Sequence, residues 1–408
     1  MNYVILGASA SGINAAKTLR ELDQEAKITV ISKDTQVYSR CMLHLVISDK
    51  REAGKIGFVD DDFMEANRVD WLSGKTVTGI DTDNKIVEYN DGKISYDKLL
   101  IATGASSAIP PIKNLREGKY VYSLRNIEDV HAIKERAAQV DKCVIIGAGL
   151  VGIDALEGLF KYNLDMSVAF MEKYLLDRQL DEHSAKLYTS KFEEKGVKFY
   201  PSASIQEIIL DENGNATGVG FADGSVIDTE MVIVATGVKA NADFLGENSD
   251  IAYDRGIIIN DRCETSVKDV YAAGDVVGKN AIWPLAVKQG IVAATNMTGE
   301  AKDINDSFVL KNTMNFEGIP TVSLGMNNPV DDSYTVVTRK RGDYYKKFIY
   351  KDDVIYGAIM QGDISYVGVI TYLIKNGISV PNLKDRIFDL GYADFFATKE
   401  NGEYAYIV

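Results

Sequence analysis

The 408-residue chain is 46% hydrophobic and 25% charged, and it carries a formal net charge of −14 at pH 7. At about 150 residues per domain there is room for two or three globular domains, in a chain too apolar for disorder and too acidic for nonspecific binding to nucleic acid or an anionic membrane. Three cysteines (Cys41, Cys143, Cys263) and three histidines (His44, His131, His183) are too few for a disulfide scaffold, a four-thiolate zinc or iron–sulfur site or a His-rich centre, so no metal is expected.

No apolar run approaches the roughly 18 residues of a membrane span. Met1-Asn2 leads directly into a strand without a basic leader, and a cytoplasmic protein is expected. Residues 3–34 read as strand, glycine turn, helix and strand. Tyr3 to Leu6 is apolar, Gly7-Ala8-Ser9-Ala10-Ser11-Gly12 follows, a helical pattern runs from Ile13 to Leu22, and Ile28 to Ile31 is the next strand. The turn is a GxGxxG variant with Ser9 at the middle glycine. In such a turn the first glycine allows the tight bend, the last lets helix and strand pack closely, and the helix N-terminus faces a pyrophosphate. Ser9 puts a Cβ where the backbone must approach that group.

The same grammar returns at 142–172. Val144-Ile145-Ile146 is the strand, Gly147-Ala148-Gly149-Leu150-Val151-Gly152 is a complete GxGxxG, and a helix begins at Ile153. The following strand, Ser167 to Met171, ends at Glu172, about 20 residues on and placed to accept hydrogen bonds from a ribose diol. It would repel a 2′-phosphate, so NADH is expected over NADPH, with Lys173 next to it softening the repulsion. Two apolar strands end in Ala-Thr-Gly, at Ala102-Thr103-Gly104 and Ala235-Thr236-Gly237. A third, Val270 to Ala273, ends in Gly274-Asp275, which presents a carboxylate to a polyol at the sheet's carboxyl edge.

That order of turn, Ala-Thr-Gly, turn, Ala-Thr-Gly and Gly-Asp resembles the FAD-dependent pyridine nucleotide–disulfide oxidoreductase family. Val37-Tyr38-Ser39-Arg40 and Ile282-Trp283-Pro284 resemble the branch of NADH:rubredoxin reductases and nitrite reductase flavin domains. Phe316 to Gly325, Tyr345 to Phe348 and Gly357 to Ile359 resemble the C-terminal domain of NADH:rubredoxin reductases. The resemblance implies an α/β fold: two Rossmann-like three-layer nucleotide-binding domains, the FAD domain interrupted by the NAD domain, plus an α+β C-terminal domain. The implied divisions are 1–110 and 241–306 for FAD, 111–240 for NAD(H), and 307–408 for a rubredoxin-reductase-like cap or interface domain, with alternating strands over Phe348, Tyr350, Val354, Tyr356 and Ala358 and a helix over 366–376. A monomer or homodimer is expected, and, with no siroheme or iron–sulfur domain in the 408 residues, something other than a complete nitrite reductase large subunit is expected.

The resemblance implies that FAD is held by Gly7, Ser9, Ala10, Ser11 and Gly12, by Asp34 and Arg40, by Ala102, Thr103 and Gly104, and by Gly274, Asp275, Trp283 and Pro284. NADH would be held by Gly147, Gly149, Leu150, Val151, Gly152, Glu172, Thr236 and Gly237. A helix N-terminus at Trp283-Pro284 would set its dipole against the flavin pyrimidine, where charge builds on reduction. The Lys that usually approaches flavin N5 is Leu45 here, and its Glu partner is Asp154, so that pair is absent.

Cys41 stands where single-cysteine members of the family keep a redox thiol, and the alternative reading is a packing residue. Cys143 and Cys263 are expected to be buried. His44 is read as a packing residue or a proton donor near the flavin, and Arg40 and Arg125 as phosphate or flavin-oxygen ligands or surface ion pairs. Tyr162, Tyr174 and the segment Tyr392 to Phe396 are read as packing. The basic run Arg339-Lys340-Arg341 to Lys346-Lys347 would either steer a small acidic redox protein or be a solvated hairpin. The expected function is hydride transfer from NADH to FAD and then electron transfer to an acceptor, first of all a rubredoxin-like protein. The alternatives are an NADH oxidase, peroxidase or coenzyme A-disulfide-type reductase using Cys41, and a flavoprotein subunit that carries electrons or senses NADH within a complex.

Overall fold

The computed structural model describes residues 1–246, 249–278, 282–304 and 311–406; the expected boundary at 306/307 lies outside them. The chain opens with strand β1 (Asn2–Leu6), helix α1 (Ala10–Leu22) and strand β2 (Lys27–Ser32). A short helix α2 (Leu43–Ile47) precedes strands β3 (Val69–Ser73) and β4 (Lys98–Ile101). β1 is central and pairs in parallel with β2 and β4. Its run Tyr3-Val4-Ile5-Leu6 is apolar throughout because both faces are covered. Tyr3 and Ile5 pack with α1, while Val4 and Leu6 pack with a small antiparallel sheet through Val87 and Tyr96.

A second parallel sheet follows. It contains β5 (Val121–Ser123), β6 (Lys142–Ile146), β7 (Asp165–Ala169), β8 (Lys198–Tyr200) and β9 (Met231–Val234) in the order β8-β7-β6-β9-β5. Helices α3 (Ile127–Ala137), α4 (Leu150–Leu159) and α5 (Glu182–Glu193) cover one face. Cys143 and Ile145 point to those helices, and Val144 and Ile146 point to an antiparallel sheet carrying Ile208 and Val219. Each unit is thus a three-layer sandwich with a parallel sheet in the middle. The chain then returns to the first sheet with β10 (Val270–Ala272), which joins β4 at its edge, and with helix α6 (Trp283–Met297), which crosses α1. A two-stranded link, Ala105–Ser107 against Val238–Ala240, ties the two crossings between the units.

The two glycine turns are near copies. Gly7 and Gly147 have φ of +116° and +107°, and a Cβ on either would fall within 2.4 Å of the carbonyl oxygen of Ala102 or Ala235. A Cβ on Gly12 or Gly152 would fall within 2.0 Å of the Gly7 or Gly147 carbonyl oxygen. This accounts for the repeated Ala-Thr-Gly: its alanine is the strand end against which the first glycine of each turn lies.

The third unit is an antiparallel sheet of β11 (Lys311–Phe316), β12 (Ile319–Gly325), β13 (Thr335–Arg341), β14 (Tyr344–Lys351) and β15 (Val354–Gln361), in the order β11-β12-β15-β14-β13, with helix α7 (Val367–Asn376). α7 covers one face through Ile370 and Leu373, and the other face joins the core of the second unit through Phe316, Ile319 and Tyr345. Tyr356 departs from the expected alternation: it is exposed, and Ile355 is the inward residue. A register shift between Ile349 and Tyr350 pairs Tyr350 with Ile355 and exchanges the faces.

The basic run lies on the β13–β14 hairpin, but most of its charge is already engaged. Arg339 pairs with Asp389 at 2.8 Å and Lys346 with Asp363 at 2.9 Å. Lys340 Nζ lies 3.2 Å from His183 Nδ1. Lys347 is buried, with Nζ 3.2 Å from Asp181 and 2.7 Å from the Asn327 carbonyl. The run clamps the second unit to the third and is not a free cationic face.

The buried Tyr188 hydroxyl on α5 donates to the Ile319 carbonyl at 2.7 Å and contacts Thr321 Oγ1 at 2.6 Å. Tyr188→Phe is expected to cost about 1–2 kcal/mol, read as a lower denaturant midpoint at unchanged slope. An unchanged midpoint would show that this junction does not contribute to stability.

Candidate active site

A cleft of about 880 Å³ opens at the carboxyl ends of β1, β4 and β10, within the range of small-molecule sites. Gly7, Ser9, Ala10 and Ser11 form one end, and Asp34 and Arg40 lie beside them. Ala102, Thr103, Gly104, Gly274, Asp275, Trp283 and Pro284 complete the first unit's share. The second unit contributes Leu150, Val151, Asp154 and Glu157, and β11 supplies a wall from Lys311 to Phe316.

The helix ends carry the clearest electrostatic signal. Ser9 and Gly149 are the N-caps of α1 and α4; both are extended, neither gives a side-chain cap, and neither first turn holds an acid. α6 likewise has no side-chain cap and no acid in its first turn, with Pro284 inside it. The other long helices of the second unit are closed. Asp129 Oδ2 accepts from the Asn126 amide of α3 at 2.9 Å, and Asp181 Oδ1 accepts from Ser184 of α5 at 3.0 Å. Within the second unit the helices away from the cleft are thus capped, while first-turn N–H groups are left free at the glycine turns, where a pyrophosphate would fit.

Asp34 and Asp275, both expected to help hold FAD, are each held by an arginine. Arg40 pairs with Asp34 at 2.7 Å, and Arg125 pairs with Asp275 at 2.7 Å while donating to the Ala105 carbonyl at 2.8 Å. Neither arginine is a surface ion pair; both sit in the cleft wall and orient an acceptor. Thr103 Oγ1 donates to Asn241 O at 2.6 Å and Thr236 Oγ1 to Ala108 O at 2.8 Å, so both Ala-Thr-Gly threonines fix the crossings between units. Gln289, to which the motif reading assigned no role, is buried and accepts the Gly274 amide at 2.8 Å. Its only sequence signal was its place on the helix after Pro284.

Several expected residues lie away from the cleft. Gly12 and Gly152 serve the close helix–strand contact. Gly147, Gly149, Thr236 and Gly237 cluster at the carboxyl end of the second sheet, and Glu172 is exposed three residues past Ala169, the end of the strand beside β6. The open space around Gly149 and Gly237 would accept a dinucleotide backbone. The helix termini, polyol-facing carboxylates and cleft volume fit FAD in the first unit.

Cys41 lines the cleft, and Cys143 and Cys263 are buried. Burial and the nearby carboxylates of Asp154 and Asp275 push the Cys41 thiol up, against the opposing effects of Arg125 and Ser39. These surroundings disfavour the thiolate that a redox cysteine needs. His44 lines the same wall, and its Nδ1 lies 3.8 Å from Asp154 Oδ1. Burial, then Glu157, pushes Asp154 up to about 7, whereas burial and then Lys50 lower His44. Among the described residues no group of three or more metal-ligating side chains could hold an ion, and no helix is long and apolar enough to cross a membrane.

A two-electron-reduced sample loaded with FAD is expected to lack a long-wavelength thiolate-to-flavin charge-transfer band, and Cys41→Ser is expected to leave that spectrum unchanged. A band that disappears in Cys41→Ser would establish a redox thiol.

Comparison with known proteins agrees with this geometry. Residues 1–290 match the pyridine nucleotide-disulphide oxidoreductase family, and residues 311–378 match the rubredoxin NAD+ reductase C-terminal domain. The chain is 30% identical to the NADH-dependent phenylglyoxylate dehydrogenase subunit epsilon of Aromatoleum evansii, over 94% of each chain. It is 30% identical to the NADH-rubredoxin oxidoreductase of Clostridium acetobutylicum, over 93% of this chain and 96% of that one. The crystal structure of NADH:rubredoxin oxidoreductase from Clostridium acetobutylicum superposes with a TM-score of 0.76 at 28% identity, covering 95% of this chain and 99% of that one. The chain belongs to the pyridine nucleotide-disulphide oxidoreductase family and is an FAD- and NADH-dependent oxidoreductase.

Proposed function

We propose that this chain is an NADH:electron-carrier oxidoreductase that delivers the electrons of NADH to a small rubredoxin-like protein in the cytoplasm. The observation that carries the reading is the third unit. Residues 311–378 match the rubredoxin NAD+ reductase C-terminal domain, and their edge strand β11 forms a wall of the cleft. The raised Cys41 thiol supports direct delivery from the flavin over a cysteine relay.

In this reading the FAD domain spans 1–110 and 241–306, the NAD(H) domain 111–240 and the C-terminal domain 307–408. The first-turn amides of α1, with Ser9, Ala10 and Ser11, hold the FAD pyrophosphate. Asp34 and Asp275, oriented by Arg40 and Arg125, accept sugar and ribityl hydroxyls, and the N-terminus of α6 at Trp283-Pro284 stabilises charge on the ring. The turn from Gly147 to Gly152 holds NADH, with Glu172 on its ribose. Bound FAD supplies hydride acceptance and single-electron release; the protein supplies orientation and electrostatics. The match to the epsilon subunit from Aromatoleum evansii, as long as that to the rubredoxin reductase, supports a second reading as the NADH-oxidising subunit of a larger complex.

The test is anaerobic: FAD-loaded protein is reduced with NADH and mixed with oxidised rubredoxin. Rapid return of the flavin absorbance together with bleaching of rubredoxin is expected. Reoxidation by rubredoxin no faster than spontaneous decay would reject the carrier reading and favour the subunit one.

A further inference from the structure

Helices α2 and α4 pack so closely that a Cβ on Gly158 would lie 3.0 Å from the His44 carbonyl oxygen. This approach sets His44 against Asp154, with Nδ1 3.8 Å from Oδ1, in the wall of the cleft. Leu45 fills the position where the resemblance expects a lysine, and among the described residues His44 is the one basic side chain recorded within ion-pair distance of Asp154. The surrounding charges are otherwise occupied or more distant. Glu157 lies one turn along α4 from Asp154 and accepts the Glu317 amide at 3.1 Å. Lys195, just past the end of α5, pairs with Glu317 at 2.5 Å. Arg125 is committed to Asp275, Lys50 acts on both His44 and Glu157, Cys41 lies on the same wall, and Lys311 is on the opposite one.

A carboxyl group and an imidazole thus sit side by side at the cleft, with no lysine to hold the carboxylate permanently charged. Their chemistry matches a requirement of the reaction proposed above, on which this inference rests. NADH delivers two electrons and one hydrogen nucleus as hydride. A carrier that accepts electrons singly takes no hydrogen, so two carriers are reduced, NAD+ leaves, and one proton remains in the enclosed cleft.

We propose that Asp154 and His44 form the exit route for this proton. As the electrons leave, the Asp154 carboxylate would accept the hydrogen nucleus that bound FAD took up as hydride, its O–H bond forming in place of the bond that had held that nucleus. The proton then passes to His44 and on to water, and Asp154 is again ready to accept. The balance is NADH plus two oxidised carriers giving NAD+, two reduced carriers and one proton, with no further reactant. Burial raises Asp154 to about 7, so its carboxyl can both take up and release a proton near neutral pH, and burial lowers His44, so its imidazole does not hold the proton it receives.

The test uses the full chain loaded with FAD, reduced with NADH and reoxidised by ferricyanide, an inorganic one-electron acceptor, so that it does not depend on which protein carrier is correct. Asp154→Asn should slow reoxidation by about a hundredfold more than it slows reduction by NADH. Time-resolved infrared spectra recorded during reoxidation should show a transient carboxylic acid band that is absent in Asp154→Asn and retained in Asp154→Glu. His44→Gln should slow reoxidation in weak buffer, with added imidazole restoring it. An unchanged ratio of reoxidation to reduction in Asp154→Asn, or a carboxyl band that survives this substitution, would overturn the proposal and leave the rubredoxin test untouched.

Discussion

The structure turns on helix N-termini that the protein does not satisfy by itself. First-turn amides cost free energy when they lack partners, and this chain shows that it can supply them, as it does where Asp181 accepts the Ser184 amide of α5. At α1 and α4 it does not. Both helices instead start from a glycine turn pressed against the end of a neighbouring strand, at Ala102 in one unit and Ala235 in the other. The positive helix ends are held open at the carboxyl edge of a parallel sheet, where α/β proteins bind nucleotides. The remaining features of the site follow from that choice: the carboxylates beyond β2 and β10, the arginines that orient them, and the wall that closes over them.

Much of this was legible in the sequence because it rests on local rules. The two glycine turns are short motifs with a fixed steric meaning, and the apolar runs Tyr3 to Leu6 and Val144 to Ile146 mark strands covered on both faces. The pairing of each Ala-Thr-Gly with its own glycine turn was visible only as an order along the chain; its cause is a contact between residues about ninety-five and eighty-eight positions apart, Gly7 with Ala102 and Gly147 with Ala235. The sequence was less informative wherever function depends on which side chains meet across units. Arg40 and Arg125 were legible as cationic ligands, yet Asp34 and Asp275 are their partners. The basic run read as either a docking face or a solvated hairpin because sequence distance hides Asp181, Asp363 and Asp389, which pair with much of it. Tyr356 was assigned to the wrong face because a bulge leaves no mark in a simple alternation.

The environment of the cleft also separates two kinds of chemistry within one fold. A cysteine relay needs a stabilised thiolate, and burial, then the carboxylates near Cys41, oppose one. Direct release of electrons from the flavin needs no thiolate, but it does need a place for charge and for a proton. The acidic wall of Asp154 and Glu157, with His44 beside it, supplies titratable groups where the family resemblance leads one to expect a fixed cation. A change of side chain at Leu45 and Asp154 therefore alters the electrostatics of the site without altering the backbone that builds it.

The central claim is that FAD bound at the first glycine turn is the one redox centre and that NADH reduces it. Anaerobic titration of the FAD-loaded chain with NADH tests this most directly. The account predicts that the yellow absorbance bleaches fully at one NADH per flavin and that no further NADH is consumed. A colourless protein that cannot be loaded with FAD, or consumption of a second NADH per flavin, would contradict it.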